Sequence, residues 1–243
     1  MAMIRTNSKY YLQTAINTIP QDVPFIFWDT CALLDILRIP YREHDVKTKI
    51  EQYQKILDLI ENGDLVSVTS DMVFYEFYSN YDDILKELDK NKDGVVENLS
   101  RYSLVINSKL KKKIESIVPL AKTKDCFVLL SLVRKIWKQT YIIREQDAFK
   151  RKAHTRTKLK QPPAKNKGEY KDCYIWSTFS MYANRSNSPL KIFITTNTAD
   201  YCDTSVSKSK ADPLLLRECS AIHAEIHLNI GSLYGCLKNH FGF

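Results

Sequence analysis

The sequence predicts one three-layer α/β/α domain with a central parallel sheet of four or five strands. Short runs of consecutive apolar residues alternate with longer segments of helical periodicity, as expected for strands that are buried on both faces and joined by helices. The chain has 243 residues, which is enough for one large domain with a full core. Hydrophobic residues make up 44% and charged residues 26% of the chain, as is usual for a globular protein.

Two strand–helix units are predicted in the N-terminal third of the chain. The run from Phe25 to Trp28 is apolar throughout and Asp29 ends it, so a buried strand is followed at once by a helix. Pro40 should end that helix. The predicted strands lie at residues 23–29 and 65–69, and the predicted helices at residues 30–38, at residues 46–61 and from Met72, where Ser70 and Asp71 can cap the helix.

A helical insertion and a basic loop separate these units from the remaining strands. Residues 91–145 have helical periodicity with a break at Pro119, whereas residues 146–168 have few large apolar residues and two adjacent prolines. Beyond them we predict a helix from Glu169, strands at residues 191–195 and 221–228, and a helix at residues 232–238. The single domain spans residues 1–243, with its core in residues 23–240.

The charge of the chain favours an anionic partner. The net charge of +8 and the pI of about 9.0 fit nucleic acid, although a lysine-rich solvated surface gives the same values. We expect the basic loop to be mobile and to contact phosphates, the alternative being a solvated loop that touches no substrate. The cations predicted to bind nucleic acid are Lys150, Arg151, Lys152, Arg156, Lys158, Lys160, Lys165 and Lys167.

Some classes of site and location are disfavoured. None of the six cysteines forms a CxxC pair and the chain has five histidines, so a structural zinc site is not expected. No apolar run approaches the roughly 18 residues of a membrane span, and residues 1–20 lack the apolar core of a signal peptide. We therefore expect a reducing, cytoplasmic setting without a membrane.

Four acidic residues stand out by their position. Asp29 and Asp200 follow predicted strands, and Glu76 and Asp172 lie on the apolar faces of predicted helices, where a carboxylate needs a partner. Strands of a parallel sheet end at one edge, so these groups can converge. Converging carboxylates repel unless a cation lies between them, and oxygen ligands suit Mg²⁺ or Mn²⁺. Taken singly, each acid also fits a structural role, and Asp29 fits an N-cap.

Four short motifs contain these acids, and their order along the chain is informative. They are Phe-Ile-Phe-Trp-Asp29-Thr30-Cys-Ala-Leu-Leu, then Ser-Val-Thr69-Ser70 followed by Glu76, then Tyr-Lys-Asp172-Cys-Tyr-Ile-Trp176, then Phe-Ile-Thr195-Thr196-Asn197-Thr-Ala-Asp200-Tyr201. In this order they resemble the motifs of the PIN-domain family of metal-dependent nucleases, and most closely its divergent PIN-like bacterial branch. The resemblance covers most of residues 23–240.

This resemblance implies an activity, a cofactor and a set of site residues. A PIN-like protein would be a Mg²⁺- or Mn²⁺-dependent endonuclease that acts on RNA rather than DNA, of the toxin or phage-defence type. An antitoxin or defence-system partner protein and a homo-oligomer are also compatible with it. The implied catalytic residues and metal ligands are Asp29, Glu76 and Asp172, with Asp200 as an auxiliary group because the usual acid of the fourth motif falls a few residues earlier. The residues implied to hydrogen-bond the carboxylates or the phosphate are Thr30, Thr196 and Asn197.

Two other interpretations are open. A phosphatase of the haloacid-dehalogenase type also opens with a strand and an Asp, but it needs a second acid two residues later, where this chain has Cys31. A catalytically inactive PIN-like module would bind nucleic acid or protein without cleaving it, and the presence of Asp29, Glu76 and Asp172 argues against such decay. Metal-dependent cleavage by the purified protein separates this last interpretation from a nuclease.

Overall fold

A parallel sheet forms the centre of the protein. The computed structural model describes residues 18–107, 125–165, 169–203 and 210–243, and in this part of the chain five strands lie side by side in the order β3-β2-β1-β4-β5. Each neighbouring pair is parallel. The strands are β1 (Phe25–Trp28), β2 (Val66–Ser70), β3 (Thr140–Ile143), β4 (Lys191–Ile194) and β5 (Glu225–His227). The predicted fold class is therefore confirmed.

Helices flank the sheet and give the fold its three layers. They are α1 (Thr30–Arg42), α2 (Val46–Glu61), α3 (Asp71–Asn107), α4 (Asp125–Lys138), α5 (Asp147–Lys158), α6 (Tyr170–Arg185), α7 (Thr198–Tyr201), α8 (Pro213–Ala221) and α9 (Ile230–Phe241). Helix α1 contacts α2, α3 and α4, while α5 packs on α6. Among the described residues, we find no helix that combines the length and apolar character needed to cross a bilayer.

Strand β1 lies in the middle of the sheet and carries Asp29 to the edge where the strands end. All four of its residues are fully buried, because it pairs with β2 on one side and β4 on the other, which explains its unbroken apolar run. Phe27 packs against Phe179 of α6 and Phe193 of β4, at ring-centroid distances of 5.6 and 5.9 Å. This packing fixes where β1 ends and therefore where Asp29 lies.

The segment predicted as a helical insertion, residues 91–145, contains a strand. The prediction is wrong at Thr140–Ile143, which forms the edge strand β3. The hydroxyl of Thr140 donates to the carbonyl oxygen of Ile136 and lies 2.7 Å from the hydroxyl of Ser67 in β2. Because β-branched residues favour extended backbone beside an existing strand, this short segment pairs with β2, a contact that helical periodicity does not register. The predicted break at Pro119 lies outside the described residues.

The predicted basic loop over residues 146–168 is a helix in its first half. Helix α5 buries Phe149, Ala153 and Arg156, which are spaced four and three residues apart and so share one face. That face packs against α6. The prediction of a loop is therefore wrong for Asp147–Lys158. A narrow apolar stripe of Phe149 and Ala153, together with the paired Arg156, is enough to pack a helix against its neighbour.

Smaller differences concern the ends of elements. Pro40 is exposed in the last turn of α1 and does not end the helix there, since a proline near a helix end removes only one backbone hydrogen bond. Helix α8 lies in a stretch where we predicted no element, and the Asp212 carboxylate caps it by accepting from the Leu214 amide at 2.8 Å. The strand predicted at residues 221–228 is the shorter β5.

Candidate active site

Asp29 is a buried carboxylate at the end of the central strand. Its residue is 1% exposed, and Oδ2 accepts a hydrogen bond of 2.6 Å from the hydroxyl of Thr195. Although Asp29 occupies the N-cap position of α1, its side chain makes no capping hydrogen bond. Burial, with the nearby charge of Glu76, raises the pKa of Asp29 to about 7. The structure therefore gives Asp29 a polar partner in Thr195, the residue that follows β4, instead of a capping role.

Glu76 reaches the same region from the second turn of α3. Its Oε2 atom accepts a hydrogen bond of 2.7 Å from the hydroxyl of Thr30, the residue after Asp29. Its Oε1 atom lies 4.0 Å from the ammonium of Lys171, whose side chain is 57% exposed. The hydroxyl from α1 thus holds one oxygen of Glu76, while the other faces a cation at the solvent boundary.

Asp172 lies in the first turn of α6 and faces the other acids. Burial, followed by the charges of Asp29, Asp200 and Glu76 in that order, raises the pKa of Asp172 to about 8. A carboxylate feels such effects only from charges that are close to it. The four acids that the sequence singled out are therefore brought together at the carboxyl ends of β1 and β4.

Asp200 completes the cluster from the short helix α7. Its Oδ2 atom accepts a hydrogen bond of 3.0 Å from the side-chain amide of Asn197. Its Oδ1 atom is buried and makes no hydrogen bond within the described part of the chain. The next residue, Tyr201, is fully buried and donates to the backbone carbonyl of Asp172 at 3.4 Å, which ties α7 to α6.

The four acids fit a hard divalent cation. In the three that have a polar partner, one oxygen accepts a side-chain hydrogen bond: Thr195 holds Asp29, Thr30 holds Glu76 and Asn197 holds Asp200. Among the described residues, Lys171 is the one cation that forms an ion pair with any of them. The cluster thus has more carboxyl groups than the one cation beside it can pair with, and an orphaned oxygen on Asp200. Oxygen donors of this kind suit Mg²⁺ or Mn²⁺.

A comparison with protein-family models matches residues 26–201 to a model described as a PIN domain. The chain belongs to the PIN-domain family. PIN domains are generally nucleases, and the matched range contains all four acids of the cluster. No curated protein and no solved structure matches the chain.

In this PIN domain the threonine that hydrogen-bonds Asp29 is Thr195, whereas the sequence pointed to Thr196. The Thr195 hydroxyl donates to Asp29 and accepts from the Asn197 amide at 3.0 Å, whereas no side-chain hydrogen bond of Thr196 is found among the described residues. A signal for Thr195 exists in the strand register: Trp28 pairs with Ile194, so the residues that follow them, Asp29 and Thr195, are neighbours. Sequence reasoning missed this because it did not fix the last residue of each strand.

A thiol also lies beside the cluster in this PIN domain. Cys31 follows Thr30 in α1 and is partly buried. Burial, followed by the charges of Asp29, Asp35 and Asp172, raises the pKa of Cys31 well above its usual value. The thiol therefore stays protonated near neutral pH and contributes no charge to the acid cluster.

Several of the cations predicted to bind nucleic acid are engaged within the PIN domain instead. Arg156 is 3% exposed, and its guanidinium donates to the carboxylate of Glu218 at 2.8 Å and to the carbonyl of Pro162. It fastens α5 to α8 and is not available to a phosphate, which corrects its predicted role. The other engaged contacts are Lys150 with Glu145, Lys152 with Ser180 and Lys165 with Asp212.

The remaining predicted cations are exposed on and just after α5. They are Arg151, Lys158 and Lys160, whereas Lys167 lies outside the described residues. Lys160 has a positive φ of 50° and begins the turn that leads back toward α6. Because these three side chains are exposed, they are accessible to a phosphate.

Proposed function

We propose that the protein is an endoribonuclease that hydrolyses phosphodiester bonds with Mg²⁺ or Mn²⁺. Membership of the PIN-domain family supports a nuclease-type function in general. One observation carries the proposed use of a metal: Asp29, Glu76, Asp172 and Asp200 lie together at the carboxyl ends of β1 and β4, each tied to its neighbours by hydrogen bonds. Burial and the charges of nearby acids also raise the pKa of Asp29 to about 7 and that of Asp172 to about 8. Carboxylates that repel in this way are ready to exchange protons for a divalent cation.

The residues of the cluster would have distinct parts in this reaction. Asp29, Glu76 and Asp172 would hold the ion, with Asp200 as an auxiliary group. When bound, a divalent ion lowers the pKa of a water molecule and stabilises the charge that develops on the scissile phosphate. Thr195 and Thr30 keep one oxygen of Asp29 and of Glu76 in place, so the second oxygen of each is presented in a fixed direction.

Substrate binding would involve the cations at the edge of the cluster and on α5. Lys171 is half exposed beside Glu76, where its ammonium can meet a phosphate oxygen of an incoming strand. Arg151, Lys158 and Lys160 extend the positive surface and would add affinity that does not depend on base sequence. The preference for RNA and a toxin or phage-defence role rest on the resemblance of the motifs to the PIN-like bacterial branch.

Cleavage by the purified protein tests the proposal. We expect end-labelled single-stranded RNA to be cut internally with Mg²⁺ or Mn²⁺ and left intact with EDTA, while a DNA strand of the same sequence is cut more slowly. Asp172→Asn should lower the rate at saturating substrate by at least a thousandfold. Asp64→Asn is the matched control, because Asp64 is exposed in the turn after α2, and it should cleave at the wild-type rate.

Two results would contradict this function. A folded protein that binds RNA but cuts neither strand with either ion would indicate an inactive binding module. Cleavage that survives in folded Asp172→Asn would place the activity outside the acid cluster. Equal rates on RNA and DNA would leave the nuclease function and remove the proposed preference.

A further inference from the structure

A second group of side chains that can bind metal lies between β5 and α9. Glu225 and His227 are two residues apart on β5 and therefore point to the same side of the strand, and Cys236 is on α9. One ligand atom from each of the three lies within 4.8 Å of the others. The group shares no residue with the acid cluster, and it lies outside the residues 26–201 that match the PIN-domain model.

The hydrogen bonds around His227 show which of its ring nitrogens is free. The hydroxyl of Ser232 donates its one proton to the carbonyl oxygen of Asn229 at 3.0 Å, and the hydroxyl oxygen of Ser232 lies 3.2 Å from Nδ1 of His227. Because that proton is directed at Asn229, we assign the hydrogen of the neutral ring to Nδ1, which then donates to Ser232. In a neutral imidazole this leaves Nε2 with a lone pair, and the ring is held in place by its other nitrogen, as is usual for metal-binding histidines.

The free nitrogen faces an oxygen that is also an acceptor. Nε2 of His227 lies 3.1 Å from Oε2 of Glu225, and in the assigned tautomer two lone pairs face each other at that distance, so a proton or a metal ion between them would be favourable. Ligands of a tetrahedral zinc ion with bond lengths near 2.0–2.1 Å lie roughly 3.3 Å apart, so the observed spacing suits such an ion. The thiol of Cys236 supplies a third, softer donor next to Glu225.

We propose that Glu225, His227 and Cys236 bind a borderline transition-metal ion such as Zn²⁺, which fastens the C-terminal helix α9 to the edge strand β5. A set of one nitrogen, one sulfur and one oxygen donor selects Zn²⁺ or Co²⁺ over Mg²⁺. The site opens to a pocket of about 440 Å³ lined by Leu190, Glu225, Cys236, Asn239 and His240. Its open side leaves a fourth position for water or for a side chain from the last turns of α9.

The stabilising effect follows from where the ligands lie. Strand β5 has three residues and, within the described part of the chain, pairs with β4 alone. A metal that binds both β5 and α9 in the folded state, and neither in the unfolded chain, stabilises the folded state in proportion to its affinity. The sequence disfavoured a zinc site because the cysteines form no CxxC pair, but a three-ligand site assembled from a strand and a helix needs no such pair.

Cobalt substitution tests the site. We expect one equivalent of Co²⁺, added to the full-length protein in excess Mg²⁺, to give the near-ultraviolet absorption of a Co²⁺–thiolate bond, and Zn²⁺ to remove that absorption by displacement. Cys236→Ser should abolish the band. Cys31→Ser is the matched control, because Cys31 lies beside the acid cluster, and it should retain the band. Ser232→Ala should weaken Zn²⁺ binding about tenfold, as for other partners that orient a ligand.

The following results would overturn the proposed metal site. If the wild-type protein shows no band, then a proton alone joins His227 and Glu225. If the band is lost in Cys31→Ser but kept in Cys236→Ser, then the ion lies at the acid cluster. If Cys236→Ser fails to fold, Glu225→Gln can be used instead, because the side chain of Glu225 is 52% exposed. An unchanged Zn²⁺ affinity in Glu225→Gln would refute the site. RNA cleavage by these β5 and α9 variants should equal that of the wild type, so this test is independent of the nuclease function.

Discussion

Replacing Asp29 by Asn should stabilise the ion-free protein at neutral pH, although it removes a proposed metal ligand. Asp29 is 1% exposed, and its pKa rises from 3.8 to about 7 on folding, chiefly through burial. The folded chain therefore binds a proton more tightly than the unfolded chain, and its stability falls as the pH rises from about 4 to about 7. Asn is neutral, and its oxygen can still accept the hydroxyl of Thr195, so the variant avoids this loss.

The size of the effect follows from the shift. A change from 3.8 to about 7, at about 1.4 kcal/mol for each pH unit, amounts to about 4 kcal/mol in the free energy of unfolding above pH 7. A solution at pH 5 is only about 1.2 units above the pKa that Asp29 has in the unfolded chain. The gain in the free energy of unfolding should therefore be under about 2 kcal/mol at this pH. For a domain of this size the full gain corresponds to a melting temperature higher by roughly 8 to 16 °C.

Thermal unfolding in EDTA between pH 5 and pH 8 measures this difference. The gain of Asp29→Asn over the wild type should grow across the range, while Asp64→Asn, at an exposed turn, should show no such trend. Added Mn²⁺ should raise the melting temperature of the wild type more than that of Asp29→Asn. The reasoning fails if Asp29→Asn is less stable than the wild type at pH 8, or if its effect is the same at every pH.

Three further predictions concern the supporting residues. Thr195→Val removes a hydrogen bond that lowers the pKa of Asp29. The acidic limb of the pH–rate profile for RNA cleavage should therefore move to higher pH, and the rate should recover in alkaline buffer. An unchanged profile would show that Thr195 does not have this role. Arg156→Leu should lower the free energy of unfolding in urea by about 3 kcal/mol, because the partly buried carboxylate of Glu218 loses its ion-pair partner and keeps only the indole N–H of Trp176. A loss under about 0.5 kcal/mol would mean that the ion pair does not hold α5 against α8. Changing Lys158 and Lys160 to Gln should reduce the slope of log affinity for RNA against log salt by up to about two, while leaving the rate at saturating substrate unchanged; an unchanged slope would exclude them from the substrate path.

Much of the fold could be predicted because its strands are buried on both faces. The apolar run of β1 and the periodicity of α2, whose observed bounds Val46–Glu61 equal the predicted residues 46–61, are local features of the sequence. Strand β3 could not be predicted in this way. Its four residues follow the apolar stripe of α4 directly, and only pairing with β2 makes them extended.

The acidic residues of the candidate site could be predicted from the sequence, whereas the residues that form hydrogen bonds or ion pairs around it were harder to predict. Asp29 and Asp172 stand out because a carboxylate next to an apolar run is unusual, and this can be read from the sequence. The choice between Thr195 and Thr196 depends on strand register, which is a property of two strands together. The buried position of Arg156 depends likewise on Glu218, which is 62 residues away in the chain.

The engaged oxygens of the acid cluster have a consequence for ion selectivity. Oδ2 of Asp29 and Oε2 of Glu76 each accept a short hydrogen bond from a threonine hydroxyl, so each carboxylate can offer one oxygen to an ion without breaking that bond. Ca²⁺ takes six to eight oxygen ligands and often both oxygens of one carboxylate, whereas Mg²⁺ keeps several waters and needs few protein oxygens. If the acid cluster holds the ion as proposed, we expect the two threonines to disfavour calcium, so Ca²⁺ should raise the melting temperature of the protein less than Mg²⁺ or Mn²⁺ at equal concentration.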